Sequence, residues 1–262
     1  MLSDERPLCQ RCDLLAGAPF HFCCNLKTVL TPKRVYEEEL LDAGVGSDLD
    51  VQQNLADLRL INKRLGGIAP TIKAFTAELD RWNPKEISIL DVGTGSADIP
   101  NAIIESCAGR GIKVTAVAVD WSARNLKAAR QLGFSSAINL VQADALRLPF
   151  APGSFDFVTA SLFLHHFLDE QVVDLLGSFA KIARRAVIVN DLVRNLLPYY
   201  LFRIVSPMVA SSFMTRHDGA LSVLRGFTAL ELDQMAARAG LNRRQIRRVF
   251  PFRLVLVANT GA

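Results

Sequence analysis

The chain is short of several things that would place it quickly. No apolar run reaches the length of a membrane span. There is no internal repeat and no low-complexity tract, which sets aside solenoids and disordered tails. The first residues carry Asp4 and Glu5 rather than a basic region, so a secretory signal is not expected and the expected location is cytoplasmic. A net charge of +4 is spread along the chain and not blocked, which argues against a dedicated nucleic-acid surface. What remains is a globular composition, 50% hydrophobic and 21% charged over 262 residues, enough for one large α/β domain with additions.

Four of the five cysteines cluster at the start: Cys9, Cys12, Cys23 and Cys24. Cys9, Cys12, His21 and Cys23 offer the donors of a tetrahedral zinc site, but only one pair has knuckle spacing. The alternative is a reduced arm whose thiols do nothing together, and no metal is expected. Residues 1–33 form that arm, and residues 34–84 read as a helical cap. Within the cap, Val35–Leu41 reads as a short acidic helix and Asp48–Leu65 as a longer one stopped by Gly66-Gly67. Pro70–Trp82 is a third helix, ended by Asn83-Pro84. Residues 85–262 form the main domain.

That domain opens on a strand, Ile87–Val92, carrying Asp91 and breaking into Gly93-Thr94-Gly95 before an apolar helix from Ile99 to Cys107. Glycines there let a ligand approach the backbone, and a helix start directs free N–H groups toward it. A dinucleotide fingerprint would place a third glycine where Asp98 stands, and an anion at that point repels a pyrophosphate. A second strand, Gly111–Val119, ends in Asp120, placed to accept the hydroxyls of a ribose; alternatively Asp120 caps the helix Ala123–Leu132. Trp121 follows. A third strand, Ala137–Val141, leads into Asp144-Ala145, and a fourth, Phe155–Ala160, exits through Ser161 to His165-His166.

Asp91-x-Gly93-x-Gly95-x-Ala97 resembles the first motif of class I S-adenosylmethionine-dependent methyltransferases, with Ala97 in place of the last glycine. Gln142-Ala143-Asp144-Ala145 resembles the motif that reads adenine. Leu146–Phe150 with Gly153–Asp156 is similar to the ubiquinone/menaquinone C-methyltransferase branch. The resemblance implies a Rossmann-like doubly wound α/β sheet of seven strands, the last antiparallel. It also implies S-adenosylmethionine as cofactor, held by Asp91, Gly93, Thr94, Gly95, Asp120, Trp121, Asp144, Ala145 and Ser161. Arg59 and Arg64 are placed to reach the cofactor carboxylate, or are solvated charges.

A fifth strand, Ala186–Asn190, precedes Leu192–Phe227, a connection too long and apolar to be a plain loop. It reads as a helical lid over an acceptor site, with Trp82, Phe202, Phe213 and Met214 as candidate lining and Tyr199 and Tyr200 as candidate contacts to an acceptor ring. Candidate bases are His165, His166, Asp191 and His217. Asn190-Asp191-Leu192 and His217-Asp218-Gly219 resemble tailoring O-methyltransferases of aromatic polyketide-type products. The expected reaction is therefore O-methylation of a lipophilic phenol; the alternatives are C-methylation of a quinol ring or a non-catalytic, cofactor-holding subunit. Arg194, Arg203 and Arg216 make the lid a candidate for peripheral membrane contact. Thr228-x-x-Glu231 is a capping box for the last helix, and Gln245–Phe250 with Phe252–Asn259 reads as a terminal hairpin.

Overall fold

The computed structural model describes residues 30–261. The cysteine cluster lies outside them. Seven strands form one sheet in the order β3-β2-β1-β4-β5-β7-β6. They are β1 Glu86–Val92, β2 Lys113–Asp120, β3 Ile138–Gln142, β4 Phe155–Ser161, β5 Ala183–Leu192, β6 Arg244–Val249 and β7 Arg253–Asn259. All neighbouring pairs from β3 through β5 are parallel, and β7 is antiparallel to both β5 and β6. The doubly wound sheet with one reversed strand is thus as the sequence implies.

Period two decides what each strand buries. On β1, Ile87 and Ile89 face a cluster formed with Phe75, Leu79, Ile103 and Cys107. Leu90 and Val92 face the opposite cluster with Leu175, Leu176, Phe179 and Leu232. Helices α2 Ala69–Trp82 and α3 Asp98–Ala108 therefore cover one face, and α5 Asp169–Ile182 and α8 Ala229–Arg238 the other. At about 25 cal/mol per Å² of apolar surface, burying each Phe or Leu on this scale is worth roughly 2–3 kcal/mol before entropy.

Two further layers surround the strand tips. Helix α1 Asp48–Arg64, started by a Ser47–Asp50 capping box, packs on α4 Ala123–Leu132. The lid is two helices, α6 Leu196–Val209 and α7 Phe213–Arg225, packed on each other. Val35–Leu41 is not helical: it is extended and then turns. Only its closing turn is bonded locally, through Glu39 O, Leu40 O and Leu41 O; the Leu40 and Leu41 N–H groups donate to Asp218 on α7 and Arg225 on α7 donates to Glu37 O. Trp82 packs on Phe157 behind the sheet, and Met214, in the first turn of α7, is fully buried.

Candidate active site

A cavity of about 940 Å³ runs from the glycine loop to the lid. Its first half is built by the tips of β1, β2 and β4. Gly93, Gly95 and Ala97 all have left-handed φ, at 71°, 51° and 57°. At Gly93 a Cβ would stand 2.0 Å from the Phe163 ring, so no side chain fits. Ala97 accepts the same backbone region with a methyl, at a cost of about 1 kcal/mol. The loop N–H groups are mostly engaged within the protein: Gly93 and Thr94 donate to Val119 O, both at 2.9 Å, and Gly95 donates to Asp120 at 3.0 Å. This loop is a poor phosphate cradle, contrary to the expectation of free donors.

What faces the cavity instead is negative. Asp91, Asp98 and Asp120 are all buried and all line it. Asp91 accepts from Thr159 Oγ1 at 2.6 Å, Asp98 from Asn62 at 3.0 Å, and Asp120 from Gly95, Ser122 and Asn125. Every one of these donors is neutral, and none of the three carboxylates has an ion-pair partner among the described residues. Burial raises all three pKa values, that of Asp91 to about 7. Thr94 Oγ1, Asn62 Oδ1 and Asn125 Oδ1 are buried beside them without partners.

Buried carboxylates lacking countercharge fit a ligand that brings positive charge. S-adenosylmethionine carries an ammonium and a sulfonium, so the residues present suit it, and they do not suit a pyrophosphate. Asp91 and Thr94 would take its methionine end and Asp120 its ribose. Trp121, 63% exposed, lines the same cavity with Asp144 and Ala145. Asp144 spends one oxygen on Leu146 N–H at 2.9 Å, which leaves the other for an exocyclic amine. Ser161 Oγ lies 3.2 Å from Thr71 Oγ1. Arg59 is tied to Leu132 O and Gly133 O and neither it nor Arg64 lines the cavity.

The second half is assembled from distant segments. Leu162, at φ 53°, turns the chain sharply out of β4, and a 3-10 turn Leu164–His166 follows. His165 Nδ1–H donates to Asp191 at 2.7 Å, while its Nε2 stands 3.6 Å from Glu39. His166 Nδ1 pairs with Asp42 at 2.5 Å, and the two rings stack at 4.3 Å. Glu39 and the Asp42 pairing hold the His166 pKa up at about 9 against the cost of burial. The same pairings hold Asp42 and Asp191 below their ordinary values despite burial. Arg225 donates to His165 O and His166 O and lies 4.0 Å from Glu39.

Glu39, His165 and His166 bring donor atoms close enough to share an ion. Asp42 and Asp191 already occupy the imidazoles, and Arg225 supplies a cation beside Glu39, so the cluster has charge compensation of its own. Asp191 is fully buried and bonded to His165, and it does not line the cavity. His217 is bonded to Asp218 and lies away from it, as do Phe213, Met214, Tyr199 and Tyr200; Phe202 does line it. Glu39, Asp42, Asn62 and Arg225 were not legible as site residues. The trace of Glu39 and Asp42 is an acidic run that reads as a helix, while Asn62 and Arg225 sit in segments read as an amphipathic helix and a lid.

Residues 89–186 match the profile of the methyltransferase domain family. A comparison with curated proteins gives no match. Among solved structures, human N-acetylserotonin methyltransferase in complex with SAM is similar with a TM-score of 0.58 at 14% identity, covering 93% of this chain and 66% of that one. This chain thus spans about two thirds of the human enzyme's length. A SAM-dependent methyltransferase from Aquifex aeolicus gives 0.54 at 14% identity, covering 82% of this chain and 100% of the other. Residues 89–186 are a methyltransferase domain, and the fold around them is that of the class I, S-adenosylmethionine-dependent methyltransferases.

Proposed function

We propose that the protein methylates a hydroxyl group of a lipophilic small molecule, a phenolic or polyketide-type acceptor. One observation carries the reading. A single cavity joins the carboxylate-lined cofactor half to a chamber walled by Leu168, Pro198, Leu201, Phe202 and Val223, with His165 and His166 on the same wall. Its volume is at the top of the range for small-molecule sites, enough for a cofactor and a second ligand.

When bound, S-adenosylmethionine supplies an electrophilic methyl on a sulfonium centre. The chain's own residues do the rest. Asp191 holds the His165 proton on Nδ1, which leaves the Nε2 lone pair to accept the proton of an acceptor hydroxyl. His166, protonated at neutral pH, stabilises the oxyanion that results. The apolar walls orient the ring and exclude water. The likeness to a small-molecule methyltransferase, human N-acetylserotonin methyltransferase, supports this class of acceptor.

Calorimetry with S-adenosylhomocysteine tests the cofactor half, with NADH as control. Micromolar binding is expected, at least about tenfold weaker in Asp120→Ala. Binding near pH 6, where Asp91 is protonated, should release more protons than near pH 8, read from buffers of different ionisation enthalpy. Turnover of a phenol panel then tests the acceptor half. His165→Gln should lower kcat about 100-fold or more with homocysteine-product affinity intact. NADH binding in place of the product, or full kcat in that variant, would sink the corresponding half.

A further inference from the structure

Within the overall charge of +4, two stretches that the fold brings together are basic, although Arg194, Arg238 and Arg244 are paired with Glu231, Glu170 and Asp233 and Arg253 is buried. Residues 192–217 and 234–262 contain nine arginines and no Asp or Glu. With a chain total of +4, the remainder is net negative. The first segment holds α6, and the second holds the β6–β7 hairpin. The two adjoin: Val193 N–H donates to Phe252 O at 3.0 Å, and Pro251, Phe252, Pro198 and Leu201 line one cavity.

Helix α6 is apolar on both sides. Pro198, Leu201, Phe202, Val205 and Val209 face the cavity. Leu197, Tyr200, Ile204 and Met208 fall at spacings of three and four on the outer side, where Ile204 is 71% and Met208 85% exposed. Phe250, at the neighbouring hairpin turn, is 89% exposed. Such a face is a cost in water unless something covers it. Arg203 on α6 itself, Arg216 on α7, and Arg247 and Arg248 on the two faces of β6 just before the hairpin turn are exposed and form no ion pair among the described residues. Arg194, which the sequence offers for the same purpose, is excluded: it is buried and bonded to Pro32 O, Gly226 O and Glu231.

We infer that this face docks on an anionic lipid surface, with Ile204, Met208 and Phe250 entering the headgroup boundary and the four arginines meeting lipid phosphates. Exposed apolar side chains on the same two elements as exposed arginines without ion pairs match that partner in both polarity and sign. The α6 wall then separates the acyl region from the acceptor chamber by a single helix, through Leu201 and Val205, which touch both sides. Its use as an acceptor entrance rests on the lipophilic-acceptor reading; the docking itself does not.

The test is flotation of the full chain with vesicles of phosphatidylglycerol and phosphatidylcholine, against phosphatidylcholine alone. The wild type should float with the anionic vesicles and markedly less with the neutral ones. Ile204→Glu with Met208→Glu should cut the bound fraction about tenfold or more, as should Phe250→Glu, and Arg247→Glu with Arg248→Glu severalfold. Thermal midpoints and homocysteine-product titrations check that these exposed changes leave the fold and cofactor half intact. Absence of wild-type flotation, or equal flotation of the Ile204/Met208 variant, overturns the proposal. So does a wild-type dimer in sedimentation velocity that this variant dissociates, because a second copy would then cover the face. Loss of phenol turnover with flotation intact would overturn the acceptor reading alone.

Discussion

The two halves of the cavity are built in opposite ways. In the cofactor half, Asp91, Gly93, Thr94, Gly95 and Asp98 come from one strand–loop–helix, and strand neighbours Val119, Asp120 and Thr159 complete it. In the acceptor half, Glu39, Asp42, His165, His166, Asp191 and Arg225 come from four places in the chain. The His166–Asp42 pair spans 124 positions and the Arg225–Glu37 contact 188. The first half pairs its carboxylates with no cation among the described residues. The second balances its own. A site whose charge is unmet declares what it binds; a site that is internally paired declares only how it is held.

The sharpest way to break the local half is Gly93→Ala. The added Cβ meets Phe163 at 2.0 Å and the left-handed φ adds strain. A loss of about 2–4 kcal/mol is expected in urea midpoints. Homocysteine-product binding should weaken with it. Gly93→Ala with Phe163→Ala should recover part of the loss relative to the two single changes added together. Full additivity would mean the clash is not the cause.

The remote half shows itself through pH. His166 is raised from 6.5 to about 9, so its contribution is fully present below about 6.5 and is lost as pH climbs through about 9. Up to about 3 kcal/mol follows from a shift of this size in a mostly buried group. Asp91, raised to about 7, acts in the same direction over a lower range, and the buried Cys107 thiol, raised from 9.0 to about 11, over a higher one, so the window from about 7.5 to about 8.5 reports mainly His166. Urea midpoints should fall across that window in the wild type and fall less steeply in Asp42→Asn, in which Glu39 still raises His166. An unchanged slope in the variant would dissolve the pairing.

Ala97→Gly is the smallest and most discriminating change. Released strain at φ 57° offsets the lost buried methyl and the added freedom of the unfolded chain. Stability should move by no more than about 0.5 kcal/mol, in contrast to the reverse exchange at Gly93. The two loop positions share a backbone region and differ only in what stands above the Cα.

The sequence is legible where chemistry is local. Strand β1 with its glycine turn, the Thr228 capping box and the terminal hairpin all stand where periodicity and turn residues put them, because each is decided by neighbours within a few positions. Val35–Leu41 misleads for the same reason: three glutamates and apolar flanks have helical spacing, yet the backbone is held by Asp218 and Arg225 on α7. Trp82, Phe213 and Met214 are apolar and near the lid or cap in sequence, but nothing in one dimension says which side of a packed layer they take. Arg194 and Arg203 are indistinguishable as letters; one is clamped by two carbonyls and Glu231, the other is open.

Strand β7 sits between β5 and β6 although it follows both in the chain. During vectorial synthesis β5 therefore has a bare hydrogen-bonding edge until residues 253–259 leave the ribosome, well after the glycine loop is complete. The segment between them is the one with the α6 apolar face. A nascent chain stalled there would expose an unpaired strand beside an apolar helix, the combination from which edge-to-edge aggregation starts.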